Sequence, residues 1–205
     1  MCHRYRAELR ASQLAELLKI ELSRLDSLPD GDLYPTYDVP VVRLTDDGRE
    51  LVAMSWGLLP FWWKPGKGAR STFQRKTFNA RCETIHEKPT FRTAFKTRRC
   101  VIPASEFYEG PTGHAAYFRL KDSTVMSFAG LWESCSIEGE TVESCTIVTT
   151  SANSLVADYH PRKRMPVILD SDGVQRWLDP DVIERPALEY LFEPFDSSLM
   201  EYLGV

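Results

Sequence analysis

The second residue of this 205-residue chain carries its most distinctive chemistry, in the opening Met1-Cys2-His3-Arg4. With Met1 removed, Cys2 presents a free α-amine and a thiol on adjacent carbons, a pair that no internal residue can offer. An aldehyde condenses with the amine to an imine, and the thiol then closes on the imine carbon to give a stable five-membered thiazolidine. The α-amine has a reference pKa of about 8 against about 10.4 for lysine, so near neutral pH it is the better nucleophile. Taken alone, a cysteine at this position more often marks only a frayed terminus.

Other groups join it. Glu109 ends a strand beside the turn Gly110-Pro111-Thr112-Gly113, where a carboxylate can reach a cleft. His160 follows a short helix over 152–159 and precedes Pro161-Arg162-Lys163-Arg164-Met165-Pro166, a loop address typical of functional side chains. Between Lys64 and Arg99 stand eleven Lys or Arg, Lys88 among them, against only Glu83 and Glu87. This block carries +9 in a chain of net charge −4, leaving −13 elsewhere. Such asymmetry fits either a phosphate-binding surface or a solvated charged face.

Aromatics lead into the block. Trp56, Phe61, Trp62 and Trp63 fall within eight residues and run into Lys64-Pro65-Gly66-Lys67-Gly68. Proline and glycine make this a loop, so one or two of the rings should be exposed. Beside a basic groove such rings stack on unpaired bases, each worth about 1–3 kcal/mol, or wedge between base steps. The alternative is that Trp62 and Trp63 close the core.

The elements that must position these groups are many and short. Ser12 is expected to cap a helix with Leu14, Leu17, Leu18, Leu22 and Leu25 on one stripe. Residues 27–37 are turn-rich, with no regular element expected. Val39–Leu44 and Leu51–Trp56 read as a hairpin around Thr45-Asp46-Asp47-Gly48. A short helix is expected near 91–96. Strands follow over 99–103, 106–109, 114–120, 125–132 and 142–150, then a short apolar run at 167–169. Helices are expected over 174–178 and 182–192.

The totals exclude several classes. A composition of 43% hydrophobic and 26% charged residues is that of a soluble globular protein, and the length suits a single domain. There is no apolar run of membrane-spanning length and no signal-peptide layout, which predicts an intracellular protein without membrane contact. Five cysteines without a CxxC predict reduced thiols. Four histidines without ligand spacing predict no metal, and no cofactor motif is present.

Several separated motifs occur in one order that resembles the SRAP (SOS response-associated peptidase) family of abasic-site-shielding proteins. They are Met-Cys-x-Arg, Trp56-Gly57-Leu58-Leu59-Pro60, Asn79-Ala80-Arg81-x-Glu83-Thr84, and Arg99-Cys100-x-x-Pro103-Ala104 leading to Phe107-Tyr108-Glu109. Phe128-Ala129-Gly130-Leu131-Trp132 and His160 upstream of Arg164-Met165-Pro166 complete the set. The resemblance runs from Cys2 to about Leu178. Together with the strand pattern it implies an α+β single domain over residues 1–205, mostly antiparallel strands curved into a barrel-like core with peripheral helices.

The resemblance further implies that mature Cys2 crosslinks to the ring-opened aldehyde of an abasic site in single-stranded DNA, with lyase chemistry from the same imine as a side reaction. By matching positions, Asn79 would hold the sugar or the N-terminal residue, Glu109 would act as general acid and base, and His160 would assist proton transfer to the sugar oxygen. Arg4 and Arg81 would bind phosphates, Trp62 and Trp63 would separate or stack on bases, and Thr149 would line the pocket. Lys88 from the basic block and Arg164 from the last motif complete the expected DNA-contacting set. The protein is expected to be a monomer, in the cytoplasm with the nucleoid or in the nucleus of a eukaryote.

The chain departs from the family pattern at His3, Asp38, Glu106 and Gly110, and has three residues between His160 and Arg164 where the shortest family form has one. Two other function classes stand beside this one. Cys2 as an N-terminal nucleophile would make an autopeptidase or peptidase; the basic block and aromatics without Cys2 chemistry would make a non-catalytic single-strand binding module.

Overall fold

The computed structural model describes residues 2–20, 29–66, 68–110, 116–159 and 162–204. The chain begins with β1 (Tyr5–Ala7), α1 (Ala11–Leu18) and β2 (Gly31–Leu33), then the hairpin β3 (Asp38–Thr45) and β4 (Gly48–Trp56). Next come α2 (Arg70–Thr77), β5 (Asn79–Arg81), α3 (Arg92–Thr97), β6 (Arg99–Ala104), β7 (Glu106–Glu109) and β8 (Ala116–Leu120). The long hairpin β9 (Met126–Ile137) and β10 (Glu140–Ser151) follows, then α4 (Ser154–Ala157), β11 (Arg164–Pro166), β12 (Ile168–Leu169) and α5 (Ser171–Leu178). A 3-10 segment over Arg185–Phe192 and a final strand, β13 (Met200–Gly204), complete the described chain.

Five strands close on themselves. β3 pairs with β4 and β6, β6 with β9, and β9 with β10, all antiparallel. β10 returns to β4 in parallel, Ser144 opposite Ser55 and Cys145 opposite Trp56, which seals the barrel. A second sheet, in the order β13-β8-β7-β1-β2, lies over it. The expected α+β architecture with a barrel-like core is what the chain adopts.

Side chains alternate across each strand, so every barrel strand serves two cores. Cys100, Ile102, Phe128, Cys145 and Ile147 join Tyr5, Phe107 and Phe118 of the second sheet in one cluster. Val101, Ala129, Leu131 and Val148 face the other way, onto α1, α3, α5 and the 3-10 segment. Buried Arg99 ties that outer layer together, donating hydrogen bonds to the carbonyls of Phe95 (2.9 Å), Trp177 and Asp179. No described helix is long and apolar enough to cross a membrane.

Several local expectations are corrected. Arg10, extended at φ −87°, caps α1 without a side-chain bond, and Ser12 lies inside the helix. Lys19 at φ 51° ends it, and Leu17 is exposed, so the buried stripe is Leu14 and Leu18; Leu22 and Leu25 lie outside the described residues. The turn-rich stretch contains β2, which forms because β1 offers it a paired edge from Gly31 to Leu33. The helix α2 was not expected: it buries only Gln74 and Thr77, so it has no apolar stripe to find.

Gln74 anchors α2. Its side-chain amide donates to Ser55 Oγ (2.8 Å) and to the Gly57 carbonyl (3.0 Å). Gly57 adopts φ +127°, and a Cβ there would stand 2.5 Å from Gln74 Cβ and 2.6 Å from its carbonyl oxygen. Only glycine satisfies both the backbone and the contact. Gly57→Ala should destabilise the protein by about 3 kcal/mol, combining overpacking with a left-handed backbone penalty, as read by chemical denaturation.

Candidate functional site

The site begins with the pairing of β1 to β7. Tyr5 stands opposite Phe107 and Arg6 opposite Glu106, and the Tyr108 amide donates to the Arg4 carbonyl at 3.1 Å. Continuing this antiparallel register carries the N-terminal residues alongside Glu109. Beyond Arg4 the alternation breaks: Cys2 is fully buried in the core shared with the second sheet while His3 is exposed, its ring edge-on to Tyr108 at 6.0 Å.

Cys2 is held at both ends. Its thiol donates to the Arg4 carbonyl at 3.6 Å, and its own carbonyl accepts a 2.8 Å hydrogen bond from Asn79 Nδ2. Asn79 sits on β5, which runs parallel to β10 with Asn79 opposite Ile147 and Arg81 opposite Thr149. The Asn79 side-chain oxygen is buried and accepts no hydrogen bond among the described residues. It is therefore an open acceptor beside Cys2, able to take a sugar hydroxyl or an ammonium.

Glu109 closes the site from β7. It is 2% exposed, and burial pushes its carboxyl up from 4.5 to about 8. Near neutral pH most of it is protonated, ready to donate. The Cys2 thiol is raised well above its ordinary value by burial first and by the Glu109 charge second. Cysteine, amide and acid thus lie together in this structure, while His160 lies outside the described residues.

The expected DNA-contacting residues divide. Trp62 is 44% exposed, edge-on to Phe73 at 6.5 Å, and Phe61 beside it is exposed too. Trp63 corrects the expectation: at 5% exposure it packs with Leu59, Phe73 and Cys135, and cannot stack on a base as it stands. Arg81 and Lys88 are exposed, with Arg81 3.5 Å from Glu83. Thr149 is fully buried, its hydroxyl near the Ala80 carbonyl at 3.4 Å.

Arg164 is also corrected. It is a buried member of β11 whose guanidinium grips both carboxylate oxygens of Glu83 and the carbonyl of Thr149 (2.6 Å). Burial opposes the ionisation of Glu83, but the Arg164 hydrogen bonds hold its carboxyl down at about 2. The pair stays charged at working pH, so Arg164 fastens β5's flank to β10 rather than offering itself to phosphate.

Arg4 is half-buried and bonded to Asp32, with the rings of Tyr108 (4.8 Å), Tyr117 (5.0 Å) and Tyr34 (5.8 Å) around it. Asp32 also receives Arg6 and the Tyr117 hydroxyl (2.9 Å). Sequence reasoning missed Asp32, and nothing in the local pattern marks a partner 28 residues away. It also missed Arg75 and Lys76, exposed on α2 next to the Trp62 loop, although the charge count included them. Glu106, one of the departures, is absorbed by Arg6 at 3.0 Å. No cluster of three or more metal-ligating side chains occurs among the described residues.

Trp62 and Trp63 should therefore respond oppositely to truncation. Trp62→Ala should leave thermal stability unchanged and weaken any single-strand binding that stacks a base on this ring by about 1–3 kcal/mol. Trp63→Ala should cost about 3–5 kcal/mol of stability. Fluorescence anisotropy and thermal melts distinguish the two.

A closed five-strand barrel, roofed by a second sheet and burying Cys2 in the core they share with the Glu109 carboxyl beside it, defines an α+β protein. The sequence model described as SOS response associated peptidase (SRAP) matches residues 1–205, and the chain belongs to this family. It is 35% identical to the abasic site processing protein YoqW of Bacillus subtilis (strain 168), over 98% of this chain and 90% of that protein. It is 38% identical to the abasic site processing protein YoaM of the same organism, over 84% of this chain and 78% of that protein. Among solved structures, a Bacteroides thetaiotaomicron protein superposes with a TM-score of 0.87 at 27% identity, covering 100% of this chain and 92% of that one.

Proposed function

We propose that this protein processes abasic sites in single-stranded DNA by forming a thiazolidine between Cys2 and the lesion's aldehyde after Met1 is removed. The observation that carries the reading is the convergence of Cys2, Asn79 and Glu109: a buried cysteine whose carbonyl is gripped by an amide, beside an acid that is mostly neutral near pH 7. The names of the relatives support the same substrate.

The α-amine adds to the aldehyde carbon, and Glu109 supplies the proton that lets water leave as the imine forms. The sulfur then bonds to the imine carbon, the C=N electron pair moves to nitrogen, and the thiol proton ends there. No redox partner is needed. Burial raises the Glu109 carboxyl to about 8 even with the chain's N-terminal ammonium lowering it, which leaves it close to neutrality, where an acid that must also act as a base works best. Asn79 holds the residue that reacts, its open oxygen facing the new ammonium or the sugar. Phe61, Trp62, Arg75, Lys76, Arg81 and Lys88 offer exposed rings and charges for the strand.

The test is intact-protein mass spectrometry after mixing the Met1-free protein with single-stranded DNA carrying one abasic site. Undamaged DNA and DNA with a ring-closed analogue that has no aldehyde are the controls. The expected result is a heat-stable adduct, of mass equal to protein plus DNA less one water, with the abasic strand alone. Its absence from fully processed protein sinks the proposal.

A further inference from the structure

An aminothiol free in water captures any aldehyde it meets, yet Cys2 is fully buried. What holds it inside therefore decides which aldehydes it reaches once Met1 is gone. One tie is the Asn79 amide on the Cys2 carbonyl. A second runs through Arg4, whose carbonyl accepts the Cys2 thiol at 3.6 Å and the Tyr108 amide at 3.1 Å. The Tyr108 bond steadies Arg4 from the β7 side. Towards β2 the last backbone pair is Tyr5 with Leu33, and Arg4 lies one residue beyond it.

On that side a side chain takes over. Asp32 Oδ2 accepts from the Arg4 guanidinium at 2.5 Å. The other Asp32 oxygen takes the Tyr117 hydroxyl (2.9 Å) and Arg6 Nε (3.3 Å), so the carboxylate joins the arm to β1, β2 and β8 at once. Arg6 divides itself between Asp32 and Glu106 (3.0 Å), whereas Arg4 is ion-paired to Asp32 alone among the described residues. The Arg4 and Asp32 side chains are 24% and 26% exposed, so water screens the pair only in part. Burial opposes the ionisation of Asp32, but the hydrogen bonds from Arg4 and Tyr117 hold its carboxyl below the ordinary carboxylate range.

We propose that Asp32 is a positioning residue that sets the aldehyde specificity of Cys2: by anchoring Arg4 it keeps the N-terminal arm in the core, out of reach of small aldehydes in solution. This rests on the reading of Cys2 as the nucleophile. A DNA strand brings binding energy from its non-reacting parts with which to open a buried site, and a small aldehyde brings none.

The experiment compares the Met1-free protein with Asp32→Asn and with Glu106→Gln, which removes a carboxylate of the same cluster that is bonded to Arg6 instead of Arg4. Iodoacetamide reads the exposure of Cys2, whose sulfur displaces iodide, with the modified peptide identified by mass. Propanal reads its aldehyde capture, adding its own mass less one water as the thiazolidine closes. Both rates should rise about tenfold in Asp32→Asn, the worth of one charge-assisted hydrogen bond, while the adduct with saturating abasic single-stranded DNA forms about tenfold more slowly. Glu106→Gln should match the parent in all three. The other buried cysteines should keep their parental labelling, which a generally loosened fold would not allow. Arg4→Gln drops the far end of the same bond and should raise the labelling and propanal rates alike, with no further rise in the double variant; it carries the test if Asp32→Asn does not fold.

Parental labelling and propanal rates in Asp32→Asn overturn the proposal. If undamaged single strands also bind that variant more tightly, Asp32 is instead a counterion that competes with phosphate for Arg4. A parent that forms no adduct with the abasic strand sinks the proposed function, while labelling and propanal still decide whether Asp32 holds the arm.

Discussion

Cys2→Ala should abolish the covalent adduct with abasic single-stranded DNA and leave non-covalent binding intact. The α-amine survives the substitution, so a borohydride-trappable imine should persist; without sulfur no thiazolidine closes and the imine hydrolyses on denaturation. The exposed rings and cations proposed to hold the strand lie elsewhere, on the Trp62 loop, α2 and the Arg81 strand. Non-covalent affinity should stay parental and fall with added salt as counterions compete for phosphate. Because Cys2 is fully buried, losing its sulfur should also cost about 1 kcal/mol of stability. Denaturing gels and anisotropy on the same samples separate the two properties. A heat-stable adduct in the alanine variant would assign the chemistry to another nucleophile.

Glu109→Gln should slow adduct formation by about 10²–10⁴-fold, the usual contribution of a positioned acid or base. Glutamine keeps the shape of the side chain and its hydrogen-bonding atoms but gives up no proton, so the pH dependence set by the carboxyl should disappear with the rate. Stability reports the same group independently. Burial raises the carboxyl from 4.5 to about 8, so between those values the folded protein holds a proton that the unfolded chain releases. Native stability therefore falls as pH rises through this window and is lowest above the folded midpoint. Glu109→Gln escapes that loss: it should match the parent near pH 4 and exceed it near pH 9, by an amount on the order of a few kcal/mol. Thermal midpoints across this range test the shift without any DNA. Parallel curves for parent and variant would mean that Glu109 is not the buried acid its surroundings make it.

Much of the strand pattern was legible because local signals coincide there. In the hairpin 38–56 the apolar runs flank a turn that ends in glycine, and β7 ends where Gly110 turns at φ +127°. β9 and β10 are rich in β-branched and aromatic residues, although both extend beyond their expected ends because each continues to find a paired neighbour. α2 and β2 escaped for the complementary reason. One has no apolar stripe, and the other is three residues that become a strand only when β1 lies beside them.

The sequence by itself determined which reactive groups exist and the order in which they come: an aminothiol once Met1 is gone, a carboxyl at a strand end, an amide in Asn79-Ala80-Arg81, and a block of cations led by aromatics. Only the tertiary structure decided which of them act together. Trp62 and Trp63 are identical neighbours, yet one meets solvent and the other Phe73 and Cys135, because the loop can bury just one of two consecutive rings. Arg164 lost its expected partner in DNA to Glu83, 81 residues away. The acidity of Glu109 was equally out of reach of sequence. Its midpoint near 8 comes from desolvation, and desolvation arises only when the second sheet folds over the barrel and draws the chain's first residues into the core they share.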